Sequence, residues 1–271
     1  MKEKFFFSII VPSRGRSNRL KLFINSIIQT CSDQSNFEII VGLDEDDHLN
    51  YNCIDFKKNI ISSVGPKNRT MGKITLDCVK KSNGKYLFLC NDDVIFCTKN
   101  WDKTLKELLI SIPNKPILAY PNDGIKKKSL CTFPIFEKKL LTDNPYFLPE
   151  DFRGSCIDLH IFDIFKGFRK GANIFYISQI ICKHNHYSKY PHLFDDTYAR
   201  RNRFGDDKLF ISLSQTRREI SYILSNKKER KPKIMIKTNI FSLLSGNSSI
   251  MWKIKIFSYM LLKTFYVRLF S

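Results

Sequence analysis

No two of the eight cysteines are spaced as CxxC, which removes the usual mark of a zinc ribbon or a thioredoxin-like site. They stand at 31, 53, 78, 90, 97, 131, 156 and 182, too dispersed for a disulfide framework, and several sit inside apolar runs. Reduced core thiols in a cytosolic protein are therefore expected. Acidic residues are also scarce: 26 Asp and Glu face 45 Lys and Arg, a formal net charge of +19. That excess calls for an anionic partner without naming it. Zinc-finger spacing, RNP-like sequence and helix-turn-helix signals are absent, so nucleic acid is not the expected partner, and a basic nucleic-acid-binding protein stays only as an alternative. Long hydrophobic runs are missing too. The N-terminal apolar stretch Phe5–Val11 meets Pro12 and Arg14 at once, with no small-residue cleavage site, so it reads as a buried strand rather than a signal peptide. What remains is a chain of 271 residues, 43% hydrophobic and 13% aromatic, enough to build one large core or a core with an appendage.

Short apolar runs alternate with helical patterns over the first two-thirds. Phe5–Val11, Phe37–Leu43, Ile60–Val64 and Tyr86–Cys90 read as strands; Leu20–Ile28, Met71–Val79 and Trp101–Ile112 carry helical periodicity. Strands separated by helices predict βαβ units and an α/β fold with a mostly parallel central sheet flanked by helices. Ligands of such sheets sit beyond the carboxyl ends of the strands. Those ends carry Arg14 and Arg16, then Asp44, then Asp92 and Asp93. Further on, Phe152–Phe168 is predicted helical, Ile174–Ile181 a strand, and Asp195–Ser225 one or two helices. No internal repeat is visible.

Four groups have the residue types for chemistry. Asn91-Asp92-Asp93 places two carboxylates at the end of a buried strand, where a divalent cation or hydrogen bonds must satisfy them. A helix cap or turn is the other reading. His184 and His186, two apart on an extended segment, point the same way. With Cys182 they also suit zinc, and a hydrogen-bonded surface pair is the plain alternative. Asp158 is either a charge at a helix N-terminus or a general base. Arg200, Arg201 and Arg203 form a diphosphate clamp or a solvated face.

The order of these pieces is similar to that of family 2 glycosyltransferases of the GT-A fold. Ser8-Ile-Ile-Val-Pro-Ser-Arg-Gly-Arg16 resembles the family's opening, and Glu38-Ile-Ile-Val-Gly-Leu-Asp44-Glu-Asp46 its second strand with a base-binding Asp. Gly65-Pro-Lys-Asn-Arg69-Thr-Met-Gly resembles a nucleotide-proximal loop, and Gly84-Lys-Tyr-Leu-Phe-Leu-Cys-Asn-Asp-Asp93 the strand leading to a metal-binding DxD. Cys90 stands where the first Asp of the family pattern would be, leaving Asp92 and Asp93. Trp101-Asp102 resembles a pair found in a bacterial subgroup. The resemblance implies a glycosyltransferase that moves a sugar from a nucleotide-diphosphate donor, a UDP-sugar favoured, to a saccharide or lipid-linked acceptor with inversion. It implies Pro12, Arg14, Arg16, Asp44, Asp46, Arg69 and Asp92 around the donor. Asp92, Asp93 and His184 or His186 would hold Mn²⁺ or Mg²⁺, and Asp158 would be the base. A catalytically inactive GT-A scaffold is the alternative. A sugar nucleotidyltransferase is disfavoured because Pro12-Ser13-Arg14-Gly15-Arg16 is not a Gly-rich phosphate loop.

Composition breaks near Asn226. Residues 227–271 hold ten Lys and Arg and one acid, Glu229, with aromatics interleaved. Lys253, Lys255, Lys263 and Arg268 interrupt the final apolar stretch, so a spanning helix is not expected. The reading is a GT-A domain over 1–226 and, over 227–271, a helical, basic amphipathic tail lying on an anionic membrane surface, which would place the protein in the cytoplasm, peripheral on the inner face of the membrane. Packing of the tail's apolar side on the domain is the alternative.

Overall fold

The computed structural model describes residues 4–57, 59–112, 116–168, 173–200 and 203–226 and, in the tail, 250, 251, 253, 254, 256–258 and 261. Its centre is a set of parallel strands, β1 (Phe5–Pro12), β2 (Phe37–Asp44), β3 (Ile60–Gly65) and β4 (Gly84–Leu89), each flanked by a helix or turn as the alternating pattern requires. β1 lies between β2 and β4, and β2 between β1 and β3. Every residue of β2 is buried, which is why its sequence shows an apolar run rather than alternation.

Beyond β4 the sheet departs from the expected parallel pattern. The short strands β5 (Val94–Phe96), β6 (Ile117–Asn122) and β7 (Ile135–Glu137) join β8 (Asn173–His184) to give the order β3-β2-β1-β4-β7-β6-β8-β5. β7 pairs antiparallel with β4 and β6, and β5 pairs antiparallel with β8. The sheet is therefore mixed. Three-residue strands are too short for periodicity to register, and β5 and β7 are of that length.

Helices cover both faces. On one side α1 (Ser17–Thr30) and α3 (Trp101–Ser111) pack Leu20, Phe23, Ile27, Trp101 and Leu105 against β1, β2 and β4. Trp101 is fully buried among the rings of Phe7, Phe37, Phe88 and Phe96. On the other side lie α2 (Met71–Lys81), α5 (Ile157–Lys166) and α8 (Ser214–Asn226). α2 approaches β2 so closely that a Cβ on Gly42 would stand 2.2 Å from Ile74 Cγ2, so only glycine fits there. α4 (Lys139–Asp143), α6 (Asp196–Ala199) and α7 (Arg203–Ser212) complete the described helices outside the tail.

The predicted helix over 152–168 begins only at Ile157, because Cys156 before it takes a left-handed conformation (φ 66°). The region 195–225 holds three helices, α6 to α8, rather than one or two. α8 ends at Asn226, where the composition changes, and residues 227–249 of the expected tail lie outside the described residues. The described tail residues are helical, and Ile256 is buried against the α2–α5 core.

Candidate active site

Because β1, β2 and β4 run parallel, their carboxyl ends open on one edge, and the side chains that follow them meet there. Arg14, just past Pro12, forks onto Asp46 (Nη1 to Oδ1 2.8 Å, Nη2 to Oδ2 2.6 Å) and also donates to Asp44 Oδ2 at 2.9 Å. Arg69 donates from Nε to the other oxygen of Asp44 at 3.0 Å and from Nη1 to Asp77 at 3.0 Å. Asp44 is thus buried between two arginines, each holding one of its oxygens. Hydrogen bonding to Arg14 holds the Asp46 carboxyl below its ordinary range and raises the Arg14 guanidinium. Gly15, at φ 64°, turns the loop so that its N–H reaches Asp47 Oδ2 at 2.7 Å.

The two carboxylates after β4 have different neighbours. Asp92 accepts from Ser13 Oγ at 2.7 Å and from Arg16 Nη1 at 3.0 Å. Burial, opposed by Arg16 and assisted by the neighbouring Asp93 charge, pushes Asp92 up to about 6. Asp93 accepts from the Tyr198 hydroxyl with Oδ2, and its Oδ1 lies 3.2 Å from His184 Nε2. Burial would raise Asp93, yet His184 and Tyr198 outweigh it and hold this carboxyl below the usual range. The β5–β8 register places Val94 opposite His184, and the Asn185 N–H donates to Asp93 O at 2.8 Å. That pairing, invisible to periodicity, is what brings Asp93 and His184 together.

Asp93 Oδ1 and His184 Nε2 are both buried and neither has a hydrogen-bond partner, despite their 3.2 Å approach. In an octahedral Mg²⁺ or Mn²⁺ shell with bonds of about 2.1 Å, adjacent donor atoms stand about 3 Å apart, so the two atoms fit neighbouring ligands of one cation. Among the described residues no group of three or more His, Cys, Asp or Glu is arranged for a metal. Asp92, expected as a ligand, accepts one hydrogen bond on each oxygen, from Ser13 and from Arg16. His186 engages Ser188 through Nδ1 at 2.9 Å, its ring 5.0 Å from that of His184. Cys182 and Cys90 are buried in the core, where burial pushes both thiols well above their ordinary value.

A strap closes this edge. Asp195 grips Arg16 with both oxygens (2.8 and 2.6 Å), Thr197 Oγ1 donates to Arg14 O at 2.9 Å, and the Tyr198 ring covers the Arg16 guanidinium at 4.3 Å. The sequence pattern assigns no role to Asp195 or Tyr198. Ser13 and Tyr51, joined at 2.9 Å beside Asp92, carried no signal. Of the basic cluster, Arg203 holds Asp207 at 2.9 Å, Arg200 is exposed, and Arg201 lies outside the described residues.

Next to the carboxylates opens a cavity of about 470 Å³ whose lining includes Pro12, Asn91, Asp158, His184, His186 and Arg203. Asp158, second residue of α5, accepts from the Leu159 N–H at 2.8 Å. Burial pushes its carboxyl up, and Arg203 and His184 only partly offset this. The preceding loop is held from α7: Asp206 accepts from the N–H groups of Arg153, Gly154 and Ser155 at 2.8, 3.1 and 2.8 Å, while Cys156 Sγ donates to Asp207 at 3.3 Å. By contrast Asp102, of the Trp101-Asp102 pair, is structural. It is buried and accepts from Ser32 N and Oγ, Asp33 N and Asn36 Nδ2.

No curated protein matches the sequence. Residues 8–141 match the model of glycosyl transferase family 2. The chain is a family 2-like glycosyltransferase with a GT-A fold. Among solved structures, S. aureus TarS 1–349 in complex with UDP-GlcNAc superposes on the transferase with a TM-score of 0.55 at 16% identity, covering 90% of this chain and 76% of that one. TarS 1–349 alone gives 0.54 at 15%, covering 85% and 73%. A longer TarS structure gives 0.52 at 17%, covering 79% of this chain and 39% of that one. The matched segment of the transferase contains the arginines and carboxylates of the strand-end edge; Asp158, His184 and the strap lie beyond it.

Proposed function

We propose that the transferase moves a sugar from a nucleoside diphosphate donor to a hydroxyl of a saccharide or lipid-linked acceptor, with inversion. The observation that carries this reading is one cavity lined by both Asp158 and His184, with Asp93 held 3.2 Å from the His184 Nε2. A UDP-sugar, the kind of donor bound by TarS, is the first to test.

In this reading the donor diphosphate lies along the strand-end edge, beside Arg14, Arg16 and Arg69. Nucleotide contact with Asp44 requires Arg14 to swing aside, since Arg14 covers it. Asp93 and His184 would hold the divalent cation, Mn²⁺ or Mg²⁺, which when bound would neutralise charge gathering on the departing diphosphate. Asp158 takes the proton of the acceptor hydroxyl. The acceptor oxygen bonds to the anomeric carbon as the bond from that carbon to the diphosphate oxygen breaks, and the electron pair leaves with the diphosphate. One displacement with one base inverts the anomeric centre.

Melting of the full chain with a panel of nucleoside diphosphates, with and without Mn²⁺, tests the donor side. Stabilisation by one nucleotide, enlarged by metal, is expected; no response to any nucleotide would overturn the reading. Asp158→Asn should retain that stabilisation and lose transfer.

A further inference from the structure

The described residues between 250 and 261 are helical. At 100° per residue, Ile250, Ile254, Phe257 and Leu261 fall within a wedge of about 60°, with Met251 beside it. All five are open to solvent, between 38% and 72% exposed. Ile256 projects from nearly the opposite side, is 2% exposed, and lines the cavity that also holds Asp158. The helix is thus apolar on two sides: one seated in the molecule, the other uncovered.

We infer that this uncovered stripe docks on an anionic lipid surface, with the helix axis in the plane of the interface. Charge decides the occupant. Residues 227–271 carry ten Lys and Arg against one acid, and the whole chain is +19, so a second copy would meet like charge whereas an anionic bilayer meets opposite charge. Spanning is not the mode, since among the described residues no helix is long and apolar enough to cross a membrane. Docking by this stripe leaves the Ile256 side, and with it the cavity, on the face of the helix turned away from the lipid.

The test is co-sedimentation of the full chain with phosphatidylcholine vesicles, with or without phosphatidylglycerol. Wild type should pellet with the anionic vesicles and be released by salt. Replacing Ile254 and Phe257 by Glu should lower the bound fraction at least about tenfold, because two apolar side chains no longer enter the interface. Melting temperature should not change, both residues being surface-exposed. A wild type that stays in solution with anionic vesicles overturns the inference, as does a double variant that binds equally well. So does a dimer that the double variant dissolves, or binding to RNA in preference to vesicles. Vesicle binding needs neither donor nor metal, so it fails or succeeds independently of nucleotide-dependent stabilisation, which reads the transfer site.

Discussion

Asp93 Oδ1 and His184 Nε2 stand 3.2 Å apart, both buried and neither hydrogen-bonded. The two make a buried ion-pair contact, and their spacing also suits neighbouring ligands of one cation. Asp93→Asn keeps the shape and the contact with Tyr198 but removes the charge. The variant should bind nucleoside diphosphate without metal about as well as wild type and lose the Mn²⁺-dependent increment by about 10–100-fold, measured by calorimetry. An undiminished increment would take Asp93 out of the cation site.

The pH dependence of transfer should follow Asp158. A base works as the carboxylate, so the rate climbs as pH rises through its pKa, and burial moves that climb above the ordinary carboxylate range. Arg203 is the main nearby cation favouring the ionised form. Arg203→Gln should therefore shift the acid limb of the kcat/KM profile to still higher pH. A limb that moves down, or stays, contradicts this electrostatic account.

Asp206 receives three backbone N–H groups from the loop that leads into α5. Asp206→Ala leaves those donors without their acceptor and should cost about 2–3 kcal/mol in urea unfolding. Because the same loop sets Asp158, kcat should fall more than KM changes, and Asp206→Asn should restore part of it through its remaining carbonyl oxygen.

Asp102 makes a contrasting, purely structural prediction. Although burial opposes it, hydrogen bonds from Ser32, Asn36 and Asp33 lower its pKa in the folded protein. A depressed acid stabilises the fold above its unfolded pKa and loses that contribution as pH falls through the folded value. The stability gap between wild type and Asp102→Asn should be full at neutral pH and shrink on acidification, with nucleotide binding unaffected throughout.

The parallel half of the sheet was legible because β1, β2 and β4 are continuous apolar runs ending in Arg14, Asp44 and Asp92. Their burial on both faces leaves no polar alternation to confuse the signal. The half after β4 was not, since β5 and β7 are three residues each and are specified by partners distant in sequence. The candidate site followed the same division. Residue types at the strand ends were readable, but their pairing was not: Asp92 turns to Arg16 from another strand end, and Asp93 meets His184 only through the β5–β8 ladder. Asp195 and Tyr198 act on residues 179 and 105 positions away, a separation local sequence does not encode.

The hold of Asp206 on residues 153–155 means that acceptor-side geometry is set by a helix starting some fifty positions downstream of the loop it steadies. A chain cut before α7 would keep the parallel strands and the arginine-rich edge while its proton acceptor lost its footing. Foldedness and turnover would then part company, and circular dichroism alone would misjudge such a fragment.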